Sequence, residues 1–129
     1  MPFGKLKHMR TLLIDDDEFV RDSLQTLFES RGCFLLAVRT AEDGIEALRG
    51  RGFDVIITDY RLPGMDGLEL CRALSRTHPR TMKIMITAYS SIAVRDEASA
   101  IGIHELIEKP ITTKAIEASL SRLLGLPEP

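Results

Sequence analysis

The sequence predicts a doubly wound α/β domain on a parallel sheet, and three observations predict it. Five short apolar runs alternate with segments of helical period, the pattern of repeated βα units. The runs are nearly continuous in apolar character, as strands covered on both faces must be. Polar groups collect at the carboxyl ends of four runs: Asp15, Asp16 and Asp17 after Leu12-Leu13-Ile14, Asp59 after Phe53 to Thr58, then Thr87, and Lys109-Pro110. In such sheets ligands bind outside that edge, at the switch in strand order.

The expected strands are Thr11 to Ile14, Cys33 to Val38, Asp54 to Thr58, Lys83 to Thr87 and His104 to Ile107. In the first helical segment Phe19, Val20, Leu24, Leu27 and Phe28 fall at spacings that line one face, and Gly32 stops it as a left-handed cap would. Thr40, with Asp43 three residues on, reads as a capping box for a helix to about Arg49. Asp66 or Gly67 starts the next, which carries Leu68, Leu70, Cys71 and Leu74. A fourth helix runs from about Ser91 to Ile101 with Gly102 as its stop, and a fifth from Thr113 to Leu123 with Thr112 as N-cap. Strands joined through helices pair in parallel by right-handed crossovers.

With 129 residues and 44% hydrophobic content the chain suits one domain with one core. A formal charge of -2 with scattered Arg and Lys argues against direct nucleic-acid binding, which needs a clustered basic surface. Cys33 and Cys71 lack zinc or disulfide spacing and read as reduced packing residues. His8, His78 and His104 share no spacing or partner carboxylate and read as surface residues. No apolar stretch approaches the ~20 residues of a membrane span, and the N-terminus lacks the apolar core of a signal peptide, so a cytoplasmic protein without membrane contact is expected. Residues 1–9 read as an N-terminal extension, disordered or vector-derived, since Met1 to His8 shows no apolar pattern. The domain is expected over 10–124, with 125–129 as a C-terminal tail.

Four motifs stand in register: LLIDDDEFVR, DVIITDYRLPGMDG, IMITAYS and IEKPI. Together they make Arg10 to about Leu124 resemble the receiver domain of two-component response regulators, a chemotaxis-regulator-like fold. The resemblance implies a flavodoxin-like five-stranded sheet of order 2-1-3-4-5 with five helices. It also implies a phosphoacceptor that switches partner interactions, signalling without being an enzyme on other substrates.

The residues agree with it. Three carboxylates within roughly 5 Å of one another repel by about 3 kcal/mol per pair at an effective dielectric near 20, so a cation must relieve them. Oxygen ligands without His or Cys suit Mg²⁺. By the resemblance Asp16 and Asp59 bind Mg²⁺ directly, Arg61 contributes its backbone carbonyl, and Asp15 acts through water. Asp59 is then the nucleophile toward a phosphohistidine or small phosphodonor, with Thr87 and Lys109 taking phosphoryl oxygens. Pro110 is, by the resemblance, preceded by a cis bond.

A phosphoryl group offers Thr87 a charge-assisted hydrogen bond worth about 1.5 to 3 kcal/mol if its loop moves inward. In the family an aromatic residue three positions before the lysine relays this movement to the fourth helix, fifth strand and fifth helix. Here Leu106 stands there, with no ring to swing, and a different route is expected. Arg61 and Tyr89 flank the path of an attacking water and are expected to prolong the phosphoryl lifetime. The implied partners are a sensor histidine kinase or phosphotransfer protein, a downstream protein or output domain, and a phosphorylation-dependent second copy.

Plainer readings stand beside these. Asp17 reads as a solvated turn or a helix N-terminal charge, and Asp66 as a helix cap. Asp59, Thr87 and Lys109 taken singly could be a loop residue, a strand-end hydroxyl and a surface lysine; their joint placement argues otherwise. An aspartyl phosphatase typically has a second acid two residues after the nucleophile, where Arg61 stands. A degenerate receiver serving as a constitutive interaction module would not need the intact set, and no Gly-rich loop after the first strand supports a dinucleotide site.

Overall fold

The computed structural model describes residues 2–127. Five strands, β1 (Arg10–Ile14), β2 (Phe34–Val38), β3 (Val55–Asp59), β4 (Met82–Thr87) and β5 (Glu105–Glu108), form one sheet in the order β2-β1-β3-β4-β5. Every adjacent pair is parallel. Six helices accompany them: α1 (Pro2–Leu6), α2 (Glu18–Ser30), α3 (Ala41–Gly50), α4 (Gly67–Thr77), α5 (Ile92–Ala100) and α6 (Thr113–Leu123). The five expected helices are α2 to α6.

Side chains of a strand alternate between faces, and the core divides accordingly. Leu13, Val55, Ile57, Ile84, Ile86 and Ile107 pack with α1, α2 and α6, whereas Leu12, Ile14 and Ile56 pack with α3 and α4. Met85 joins Leu68, Cys71, Ala98 and Ile103 in a third cluster beneath α5. The helices begin where capping chemistry starts them: Asp17, Thr40, Asp66, Ser91 and Thr112 each accept a backbone N–H from the first turn. Gly32 (φ 69°) takes the left-handed conformation just past α2, as a C-terminal glycine does.

Register brings the chemistry to one edge. Ile14 pairs with Thr58, Asp59 with Ile86, and Thr87 with Glu108, so Asp15, Asp59, Thr87 and Lys109 end neighbouring strands side by side. The order reverses between β1 and β3, which opens the crevice there.

Two expectations are corrected. Within the segment read as an N-terminal extension, disordered or vector-derived, disorder is overturned because α1 is folded: Phe3 meets Phe28 edge-to-face with centroids 5.5 Å apart, and Leu6 is buried. Lys5 Nζ donates to the Leu124 carbonyl at the end of α6, 3.3 Å away. The second correction is Phe19, read as part of the buried face of α2 but 77% exposed. Val20, Leu24 and Phe28 form the buried stripe at four-residue spacing, and Phe19 lies about 100° around the helix from Val20. Met1 and, from the expected tail, Glu128 and Pro129 lie outside the described residues.

Candidate functional site

Each side chain of the site is delivered by a strand end. Asp15 follows β1 and is fully buried; its Oδ1 accepts the Asp17 N–H at 2.9 Å, while its buried Oδ2 accepts no hydrogen bond. Asp16, next along, is exposed, and Asp17 turns away to cap α2. Asp59 closes β3 at 6% exposure. One carboxylate oxygen from each of Asp15, Asp16 and Asp59 lies within 4.8 Å of the others.

Lys109 answers this charge, with Nζ 3.3 Å from Asp59 Oδ2 and 3.7 Å from Asp15 Oδ2. Burial pulls the Lys109 ammonium down, but Asp15 and Asp59 overcome it and hold its pKa above the usual value. Burial pushes the Asp15 carboxyl up to about 6; the Asp17 amide and Lys109 oppose the rise, and Asp59 and Asp16 add to it. Three carboxylates thus face one ammonium. An all-oxygen donor set with a buried oxygen that accepts no hydrogen bond fits a hard divalent cation.

Asp16, Asp59 and Thr87 line a cavity of about 390 Å³, with Arg61 and Tyr89 at its margin. Thr87 is buried, but its hydroxyl is engaged locally: Oγ1 donates to the Tyr89 carbonyl at 2.8 Å and accepts the Tyr89 N–H at 3.1 Å. Tyr89 is 72% exposed, and the Arg61 guanidinium sits 5.7 Å from the Tyr60 ring centroid. Leu106 packs half-buried against the cluster beneath α5, as does Tyr60. The Lys109-Pro110 peptide is cis. Asp66 caps α4 and is not in the carboxylate cluster. Both cysteines are buried and free.

Three features were not read from the sequence. Arg21 Nη1 donates to the Asp15 carbonyl at 3.0 Å, bracing the strand end that carries two of the carboxylates. Helical spacing puts Arg21 one position from the buried stripe, but no pattern names its acceptor. The Glu108 carboxylate accepts the Ser90 N–H at 3.2 Å, tying the loop after β4 to β5. A second, more apolar groove of about 400 Å³ runs between α2 and the loop after β5, lined by Phe19, Leu24, Pro110 and Ile116; Lys109 borders both cavities.

A family model described as the response regulator receiver domain matches residues 11–121. The response regulator MprA of Mycobacterium leprae is 34% identical over 125 residues, covering 94% of this chain and 53% of that protein. The transcriptional regulatory protein FixJ of Azorhizobium caulinodans is 34% identical over 113 residues, covering 88% and 54%. The chain therefore spans about half the length of these curated relatives. Among solved structures, the non-phosphorylated HemR receiver domain of Leptospira biflexa superposes with a TM-score of 0.84 at 26% identity, covering 94% of this chain and 98% of that one.

Proposed function

We propose, since this chain belongs to the response regulator receiver domain family, that Asp59 is its phosphoacceptor and that the chain catalyses its own phosphorylation and dephosphorylation. The observation that carries the reading is the cluster of three carboxylates and one ammonium, of which Asp16, Asp59 and Lys109 line a cavity. An Asp59 carboxylate oxygen attacks phosphorus, the bond from phosphorus to the donor's imidazole nitrogen or acyl oxygen breaks, and the leaving group keeps the electron pair. Water later cleaves the acyl phosphate and restores the carboxylate.

Asp16, Asp59 and the Arg61 carbonyl would hold Mg²⁺, with Asp15 bound through water; when bound, the ion supplies charge neutralisation for the transferring group. Lys109 exchanges its ion pair with Asp59 for a phosphoryl oxygen, which keeps its charge compensated throughout. Thr87 must leave the Tyr89 backbone to reach another oxygen, so phosphorylation and movement of the loop after β4 are one event. The donor is a sensor histidine kinase or phosphotransfer protein. The apolar groove beside α2, which shares Lys109 with the site, supports a docking place for that donor next to Asp59. The message passes to a downstream protein or output domain.

Incubation with Mg²⁺ and acetyl phosphate or phosphoramidate, followed by intact mass, tests the reading. One added phosphoryl group is expected, absent in Asp59→Asn and in chelator. No gain from either donor, or a gain that survives Asp59→Asn, overturns it.

A further inference from the structure

We propose that Gly67 is a positioning residue for Asp59: lacking a side chain, it lets α4 begin flush against the Asp59 carbonyl and so fixes how the nucleophile is presented. The inference rests on the reading of Asp59 as phosphoacceptor. Gly67 is the buried first residue of α4. A Cβ there would overlap the Asp59 carbonyl oxygen and lie 3.2 Å from the Asp59 carbonyl carbon and from Met85 Cε.

Space, and not backbone conformation, is what the position demands. Gly64, in the same loop, has φ 79° and open surroundings; Gly67 is not among the glycines with positive φ. Nor can the obstacle step aside as a side chain would. Asp59 is paired with Ile86 in the sheet, and the next amide, Tyr60 N, donates to the Ile86 carbonyl at 2.7 Å. Gly67 N then donates to the Tyr60 carbonyl at 2.7 Å, closing a loop that contains Arg61. A methyl group at 67 must therefore lift α4 from the sheet or push back the Asp59 backbone, whose carboxylate sits 3.3 Å from Lys109. A displacement of about 1 Å in a site that works by positioning costs on the order of a hundredfold in rate.

Gly44 supplies the matched control. A Cβ there would overlap Ile14 Cδ1, the free end of a flexible side chain, on the same sheet. The test compares Gly67→Ala and Gly44→Ala in the full 129-residue chain. It measures thermal melting, Mn²⁺ affinity, and the maximal rate and half-saturating acetyl phosphate concentration of phosphorylation in Mg²⁺. Gly67→Ala is expected to lose at least about tenfold in maximal rate with little change in half-saturation. Gly44→Ala should keep the wild-type rate whatever stability it loses.

A wild-type rate in Gly67→Ala, or an equal fall in Gly44→Ala, overturns the proposal. If the unmodified chain takes no phosphoryl group, it is the phosphoacceptor reading that fails. The role of Gly67 is then decided by Mn²⁺ affinity, which Gly67→Ala should weaken and Gly44→Ala should not. Should Gly67→Ala unfold, the comparison is repeated in the cold with trimethylamine N-oxide. A chain still unfolded there shows that the core alone needs the close approach, which also overturns the proposal.

Discussion

Lys83 and Lys109 stand at opposite ends of the same sheet, and the protein compensates their charges by different means. Lys83, near the start of β4, is 2% exposed, and its ammonium donates to the carbonyls of Thr81 at 2.8 Å and His78 at 3.2 Å. Burial pulls its pKa down, against an opposing pull from the neighbouring Cys71, and no carboxylate pairs with it among the contacts of the described residues. Lys109 is half-buried, meets two carboxylates, and is held above its usual pKa despite burial. Around Lys83 the donors are spent on backbone acceptors; around Lys109 anions outnumber the cation and Asp15 Oδ2 accepts no hydrogen bond. A closed arrangement holds a fold, and an open one leaves room for a ligand's charge.

The largest expected effect lies at the closed end. Phe3→Ala removes a ring packed on Phe28 and should cost about 3 kcal/mol in chemical denaturation. The initial phosphorylation rate should stay unchanged, and a slower rate would mean that the two ends are coupled. Next, Lys109→Met should lower that rate by about a hundredfold, the usual scale for removing one preorganised donor to developing charge. Lys83→Met should instead lose about 1–3 kcal/mol of stability through its orphaned carbonyls, at an unaltered rate. If both lysine variants slowed phosphorylation equally, the contrast between them would be wrong.

Asp15 sharpens the contrast through pH. Its folded-state pKa, about 6, is above the usual 3.8, so the folded chain binds the extra proton. The stability it contributes is present at low pH and is lost as pH rises from the usual value through about 6. Without metal, Asp15→Asn should therefore stabilise the protein by up to roughly 3 kcal/mol at neutral pH and by nothing in acid. Mg²⁺ held at the proposed site should shrink or reverse the difference, since it would stabilise the folded wild type. Equal melting temperatures at neutral pH in chelator would show that Lys109 already relieves the cluster.

Much of this was legible in the sequence because it is local or periodic. The N-caps Thr40, Asp66 and Thr112 act within one helical turn, and parallel register follows from apolar runs of matched length. The site was legible because β1, β3, β4 and β5 deliver Asp15, Asp59, Thr87 and Lys109 to one edge. What was hidden depends on distant partners. Five residues of α1 are too short for a period to show, and Phe3 is buried only because Phe28 is there. Phe19 obeys a helical pattern whose neighbour never arrives. Lys83 reads as an ordinary strand residue until the end of α4 and the turn after it place the His78 and Thr81 carbonyls around it. That Thr87 bonds Tyr89, and does not reach across to Asp59, is a side-chain choice no spacing reveals.

The smallest effect concerns the rim of the open end. Arg61 and Tyr89 border the cavity over Asp59, yet both are exposed, and the Arg61 guanidinium lies 5.7 Å from the Tyr60 ring centroid. We propose that their contribution is steric, since they line the cavity over Asp59 and would narrow the approach of water to the phosphoryl group. Arg61→Ala with Tyr89→Ala should then speed hydrolysis by about threefold to tenfold, at most about 1.4 kcal/mol of barrier, while leaving phosphorylation nearly unchanged. The decay of phosphorylated protein after donor removal measures this directly. An unchanged decay would mean that water enters from elsewhere, and the apolar groove that shares Lys109 with the site is the other opening to probe.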